Sequence, residues 1–226
     1  MIMKFLTYSH ILAGIISLIV APIAMTVVKG GPVHRLFGKI FFWCMVYIFV
    51  TAIILGLAHD KLFLVMVSVL SFYLAFTGYR TLAHKQISKN VRWYDWAVTI
   101  GAGLFMLGFG AWGAYLLTQG VSGTGVYLLF GFSAGGLLAV RGEVQAYVTK
   151  RTDKDRWLFN HIGRMVGSFI ASVTAFSVNV LVFLPGIWPW IWPTLIGTPF
   201  IVYWIRTYKK RIAEGARVTD LVQLKR

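Results

Sequence analysis

The chain has 226 residues, of which 58% are hydrophobic, 16% aromatic and only 13% charged. A water-soluble domain is about half apolar and about one quarter charged, so this composition excludes an ordinary soluble protein. The net charge of +15 does not indicate a nucleic-acid partner, because the basic residues sort by side of a membrane. Short connections join the apolar segments, so we expect one transmembrane domain over residues 1–226.

Seven long apolar runs follow one another along the chain. They cover residues 5–28, 37–58, 62–83, 96–118, 123–140, 162–184 and 187–205. A helix needs about 20 mostly apolar residues to cross a bilayer, whereas a barrel strand would alternate in polarity. Pro189, Pro193 and Pro199 predict a kink or a late start in the last run. The fold class is therefore predicted as all-α, a polytopic membrane bundle of about seven transmembrane helices.

The basic residues predict the orientation of the bundle. All 22 of them except Lys4 and Lys61 lie in or next to the connections after the first, third and fifth runs, or in the tail. With an odd number of spans, an amino terminus outside and a cytoplasmic carboxyl terminus, these residues lie inside, as the positive-inside rule requires. We expect them to contact anionic lipid headgroups at the cytoplasmic face. The first run has no small-residue cleavage pattern, so we expect it to be retained.

Two GxxxG pairs, Gly131 with Gly135 and Gly163 with Gly167, have the spacing that lets membrane helices approach closely. Packing inside the bundle is the favoured interpretation, and a homodimer interface is the alternative.

The polar residues near the bilayer are the candidate functional groups, because ionisable groups are costly in lipid. By the predicted orientation His34, His84 and His161 lie on the cytoplasmic side, whereas His10 and His59 lie on the outer side. Helical spacing places His161, Arg164, Met165 and Ser168 on one face. We expect that face to meet His34 and Glu143, with Arg35 nearby.

One hypothesis for this cluster is a divalent metal site. His34, His84 and His161 would supply imidazoles, and Glu143 would act as a ligand or general base, as in a metal-dependent membrane hydrolase. No HExxH spacing is present, and histidines at cytoplasmic helix ends commonly form local contacts instead.

A second hypothesis is haem or redox chemistry, with the cofactor bound by His34, His161 and His84. A haem clamped between helices needs two histidines at matched depth. On the outer side a hydrogen bond between His10 and Asn179 is a simpler explanation than a ligand pair.

A transporter gated by Glu143, Arg141 and Arg164 is a further alternative, although the middle of each run carries almost no ionisable group. A membrane scaffold without enzymatic activity is the last one. Ion pairing of Glu143 with an arginine is favoured over catalysis, and no residue is assigned a catalytic role.

Two segments carry a family resemblance. The first is His34-Arg35-Leu-Phe-Gly38-Lys39, and the second is Trp157-Leu-Phe-Asn-His161-Ile-Gly-Arg164-Met165-Val-Gly167 with the following Ala171-Ser-Val-Thr174-Ala-Phe176. They resemble a family of bacterial predicted membrane proteins filed as a domain of unknown function. The resemblance implies a multi-pass protein of the bacterial cytoplasmic (inner) membrane. It implies no substrate or cofactor, but it points to His34, Arg35, His161 and Arg164.

Overall fold

The computed structural model describes residues 1–83, 91–149 and 155–222. Over these ranges the regular secondary structure is entirely helical, which confirms the all-α prediction. The long helices are α1 (Ile2–Thr26), α2 (Pro32–Ala58), α3 (Leu62–Arg80), α4 (Trp93–Thr118), α5 (Thr124–Thr149), α6 (Arg156–Val180) and α7 (Trp188–Ala213). A short helix, α8 (Val218–Leu221), follows them.

The first five helices are long and apolar enough to cross a membrane. Helices α6 and α7 have 25 and 26 residues, but they are too polar to be recognised as spans by average hydropathy. In α6 the reason is visible in the packing, because Ser168 and Ser177 are completely buried between helices. Small hydroxyl residues satisfy their hydrogen bonds inside a bundle, so they lower the average without facing lipid.

The predicted runs and the observed helices differ mainly where a helix continues past its apolar part. Helix α5 runs nine residues beyond position 140, and α7 runs eight residues beyond position 205. An apolar run shows only the part of a helix that lipid covers. Polar residues with good helix propensity can extend the same helix into the membrane–water interface. The predicted late start of the last helix is wrong, since α7 begins at Trp188 with Pro189 in its first turn. Proline is well tolerated there because the first amides of a helix need no partner.

Helix α3 lies at the centre of the bundle. It packs against α2, α4, α5 and α6. In its most apolar stretch 56% of the residues are buried, compared with 22–28% in the other four helices suited to cross a membrane. One cluster of buried side chains joins α1, α2 and α3 around Phe41 and Met45. Another joins α3 to the α4–α5 hairpin around Met66 and Met106. The chain therefore forms two helical groups that share α3.

Large apolar side chains cover the outside of these groups. Trp43, Leu104, Leu138 and Ile196 on four different helices are each about two thirds exposed, at 66%, 65%, 67% and 67%. A surface of this kind is unfavourable in water but matches hydrocarbon. The exposed apolar surface therefore supports the membrane assignment.

Of the four GxxxG glycines only Gly167 faces another helix, since a Cβ atom there would lie 3.5 Å from Leu74 Cδ1 on α3. A Cβ atom added at Gly131, Gly135 or Gly163 would meet no neighbouring atom within 4 Å. The close approaches occur at other glycines: Gly78 faces Met165 and Arg164 on α6, and Gly136 faces Met106 on α4. The packing prediction is therefore wrong for these three glycines, because spacing does not tell which face a helix turns to its neighbour.

Candidate functional site

The structure brings His34 and His161 together at one end of the bundle. His34 lies in the first turn of α2 and His161 in the second turn of α6. Their ring centroids are 6.2 Å apart and their planes are inclined by 64°. Two imidazoles that are 127 residues apart in sequence are thus neighbours. The sequence analysis predicted this contact between His34 and the face of α6 that carries His161.

Each ring is held by a backbone carbonyl near the end of a helix. His34 Nδ1 lies 2.8 Å from the carbonyl oxygen of Ala24 in α1, and His161 Nδ1 lies 2.9 Å from that of Gly78 in α3. Both carbonyls belong to the last turn of their helix, where intrahelical partners run out. The histidines therefore cap the carboxyl ends of α1 and α3, which is a sufficient structural role.

The same hydrogen bonds determine which ring nitrogen is available to a ligand. A carbonyl oxygen can only accept, so Nδ1 carries the proton in both rings. In a neutral imidazole Nε2 then has a free lone pair, and a fixed Nδ1–H is the usual arrangement behind a metal-binding histidine. In both side chains Nε2 is therefore the nitrogen that could act as a ligand or hydrogen-bond acceptor.

Two adjoining cavities, of about 170 and about 230 Å³, open beside these rings. Their shared walls include both histidines, Arg35 and Met165. The larger one is closed by aromatic side chains of α6 and α7, among them Trp157 and Trp204. A mainly apolar hollow with a few fixed polar groups is the usual form of a small-molecule or cofactor site.

Basic residues form one edge of this hollow. Lys29, in the turn between α1 and α2, donates from Nζ to the carbonyl oxygens of Met25 and, at 3.1 Å, of Val27. Its ammonium group lies 4.9 Å from the centre of the Trp204 ring. Burial lowers the pKa of Lys29. Arg35 donates from Nη1 to the carbonyl oxygen of Gly30 at 2.5 Å.

Glu143 does not join the histidines. It is buried, with 3% of its side chain exposed, and forms an ion pair with Arg164 Nη2. Within the described ranges no three His, Cys, Asp or Glu side chains lie close enough to hold one metal ion. Glu143 therefore does not complete a metal site with His34 and His161. His84, the fourth residue of that hypothesis, lies outside the described residues.

The ion pair belongs to a larger polar group that the sequence analysis did not find. Its other members are the side chains of Tyr73, Thr99 and Tyr147, and the electrostatic surroundings of both tyrosines include Glu143. These residues lie on α3, α4 and α5 and are buried. Tyrosine and threonine within apolar runs were the only signal in the sequence.

A second buried ion pair was also missed. Arg80 at the end of α3 donates to Asp95 through Nε at 2.6 Å and Nη2 at 2.7 Å. Asp95 is completely buried and also accepts the backbone N–H of Arg92 at the start of α4. This bidentate contact ties the α4–α5 hairpin to the central helix.

The remaining candidates lie elsewhere. His10 Nδ1 is 2.8 Å from Thr51 Oγ1, and Asn179 donates to the carbonyl oxygen of Ala175 in its own helix. These two contacts replace the hydrogen bond expected between His10 and Asn179, because each residue has a nearer partner. Ser168 donates to the carbonyl oxygen of Ser71 and links α6 to α3. Arg141 is exposed on α5 rather than directed into the bundle.

Comparison of the chain with protein-family models, curated proteins and solved structures gave no match to any of them. The geometry of the site alone therefore supports a function.

Proposed function

We propose that this protein binds haem between His34 and His161 and belongs to a membrane redox system. The observation that carries the proposal is the pair of imidazoles with both Nδ1 protons held by backbone carbonyls, at the wall of an apolar cavity. When bound, haem would supply one-electron chemistry at its iron. His34 and His161 would hold the group, and the mainly apolar cavity lining would surround it.

The spacing of the rings fits this assignment. Metal–imidazole nitrogen bonds are only about 2.0–2.1 Å long, so two histidines that held one metal ion would need neighbouring rings. The ring centroids of His34 and His161 are 6.2 Å apart.

Over the described residues the chain is an all-helical bundle with five helices long and apolar enough to cross a membrane. In our proposal α6 and α7 also cross, the amino terminus is outside and the histidine cavity lies at the cytoplasmic face. Membership of the bacterial family of unknown function and a place in the inner membrane are part of the same proposal. The distribution of basic residues supports it.

The test is the visible spectrum of the detergent-purified full-length protein, oxidised and dithionite-reduced, after expression with ample haem supply. We expect a stoichiometric Soret band that is lost or shifted in His34→Ala and His161→Ala. His59→Ala is the matched control, because His59 is exposed at the opposite end of α2.

A further variant separates ligation from helix capping. The amide of His161→Gln can still donate to the carbonyl of Gly78 but offers no imidazole nitrogen. We expect it to retain the thermal stability of the apoprotein and to lose the native Soret band. A wild-type spectrum without haem absorption would contradict the proposal. Metal analysis and transport assays would then decide between a hydrolase, a transporter and a scaffold.

A further inference from the structure

We infer that Lys29 and Arg35 bind acidic substituents of the cavity ligand, so that the site selects haem with free carboxylates over a neutral porphyrin. The inference rests on the proposed haem site and adds two specificity-determining residues to it. Neither residue contacts the iron in this assignment. Their role is to recognise the charged edge of the ligand while the histidines bind its centre.

The position of Lys29 supports this role. Its ammonium group is fixed at the cavity wall by the carbonyls of Met25 and Val27 and by the face of Trp204. An ammonium group has three N–H donors, so one remains after two carbonyl bonds. A half-buried cation that has lost part of its hydration gains from an anion placed beside it.

Arg35 supplies the second donor group. One nitrogen of its guanidinium donates to the carbonyl oxygen of Gly30, which holds the side chain against the turn. A guanidinium group has five N–H donors in a planar fork, so the others remain available to a carboxylate. Arg35 follows His34 directly in α2 and lines both cavities, so the acid-binding group and the proposed iron ligand share one helical turn.

The charge around the cavity is one-sided. Among the described residues, no aspartate or glutamate lines either cavity. The ion pairs formed within residues 1–83, 91–149 and 155–222 include neither Lys29 nor Arg35. By contrast, Arg80 and Arg164 at the same end of the bundle each have a buried carboxylate partner. Lys39 also lines the smaller cavity and adds to its positive charge. An acidic ligand would give Lys29 and Arg35 the counter-charge that the wall lacks.

The test compares haem with haem dimethyl ester, which has the same iron and ring but no free carboxylate. Full-length apoprotein in detergent is titrated with each compound, and binding is followed by Soret absorbance. We expect wild type to bind the diacid with a Kd lower by on the order of tenfold, as two charge-assisted contacts in a partly buried site should give. In Lys29→Gln and Arg35→Gln this ratio should fall toward one. Arg206→Gln, an exposed arginine on α7 that lines neither cavity, should keep it.

The wild-type ratio is decisive without any variant. Equal binding of the two compounds would overturn the inference and leave the haem site standing, whereas binding of neither would overturn both proposals. Because the result is a ratio within each protein, a general loss of affinity does not imitate it. If a glutamine variant binds neither compound, the same two titrations are made with Lys29→Arg and Arg35→Lys. These variants keep the positive charge and should bind the diacid more tightly than the ester.

Discussion

His161 donates its Nδ1 proton to the carbonyl oxygen of Gly78, 2.9 Å away, where α6 packs against the last turn of α3. A Cβ atom at Gly78 would lie 3.0 Å from Met165 Sδ and 3.1 Å from Arg164 Cβ. Gly78 therefore provides both the acceptor that orients the imidazole and the space that lets its helix approach. The position of the second proposed haem ligand depends on a residue that carries no side chain.

Replacement of this glycine should destabilise the bundle. Alanine normally stabilises a helix relative to glycine, by about 0.5–1 kcal/mol, and Gly101→Ala should show that gain because nothing lies within 4 Å of its added Cβ. Gly78→Ala should instead be about 1–3 kcal/mol less stable than Gly101→Ala, because it overpacks the α3–α6 contact. Unfolding by sodium dodecyl sulfate in mixed micelles measures both. Equal stability of the two variants would show that the contact relaxes freely.

The Arg80–Asp95 pair should be one of the strongest single contributions to stability. Asp95→Ala leaves a guanidinium that is 83% buried without its carboxylate, and loss of one partner of a buried pair costs about 3–5 kcal/mol. Asp220→Ala is the control, because Asp220 also accepts a backbone N–H at a helix start, that of Arg217, but its ion-pair contact with Arg217 is 3.6 Å long and its side chain is half exposed. We expect that change to cost less than about 1 kcal/mol. Thermal unfolding in detergent should separate the two, and similar melting temperatures would contradict the structural role of Asp95.

The Glu143–Arg164 pair links α5 to α6, and a double-mutant comparison tests it. Glu143→Leu leaves Arg164 buried without a counter-ion and should cost about 3–5 kcal/mol, whereas adding Arg164→Met should recover most of that loss. The free energy of unfolding of the two single variants and the double variant gives the coupling. If the double variant loses as much free energy of unfolding as the two single variants together, Glu143 and Arg164 do not depend on each other.

The orientation can be tested by labelling single cysteines. Cys44 is the only cysteine of the chain, so Cys44→Ala provides a background without thiols. We expect a membrane-impermeant maleimide to label Lys61→Cys, between α2 and α3, on intact cells. Gly215→Cys, after α7, should react only when the cells are opened. The reverse pattern, or labelling of both sites from outside, would refute an amino terminus outside with seven crossings.

The helical architecture could be predicted from the sequence because lipid leaves the backbone few options. Long apolar runs must form their own hydrogen bonds, so helix type and approximate position follow from local composition alone. The helix ends were less accessible. Helix α5 continues past its apolar run, because polar residues can extend a helix beyond the part that lipid covers, and hydropathy does not mark where such an extension ends.

The site was predictable only in part. Helical spacing identified His161 and Arg164 as members of one face of α6, since that periodicity is a local property of the backbone. Which partner each would meet was decided by tertiary packing: His161 lies next to His34, whereas Arg164 meets Glu143. The carbonyls of Ala24 and Gly78, which fix both imidazoles, have no signature in the sequence, because every residue carries a carbonyl. The sequence thus determined the helices and the polar faces, and only the packing of α1, α3 and α6 decided which polar groups form a site.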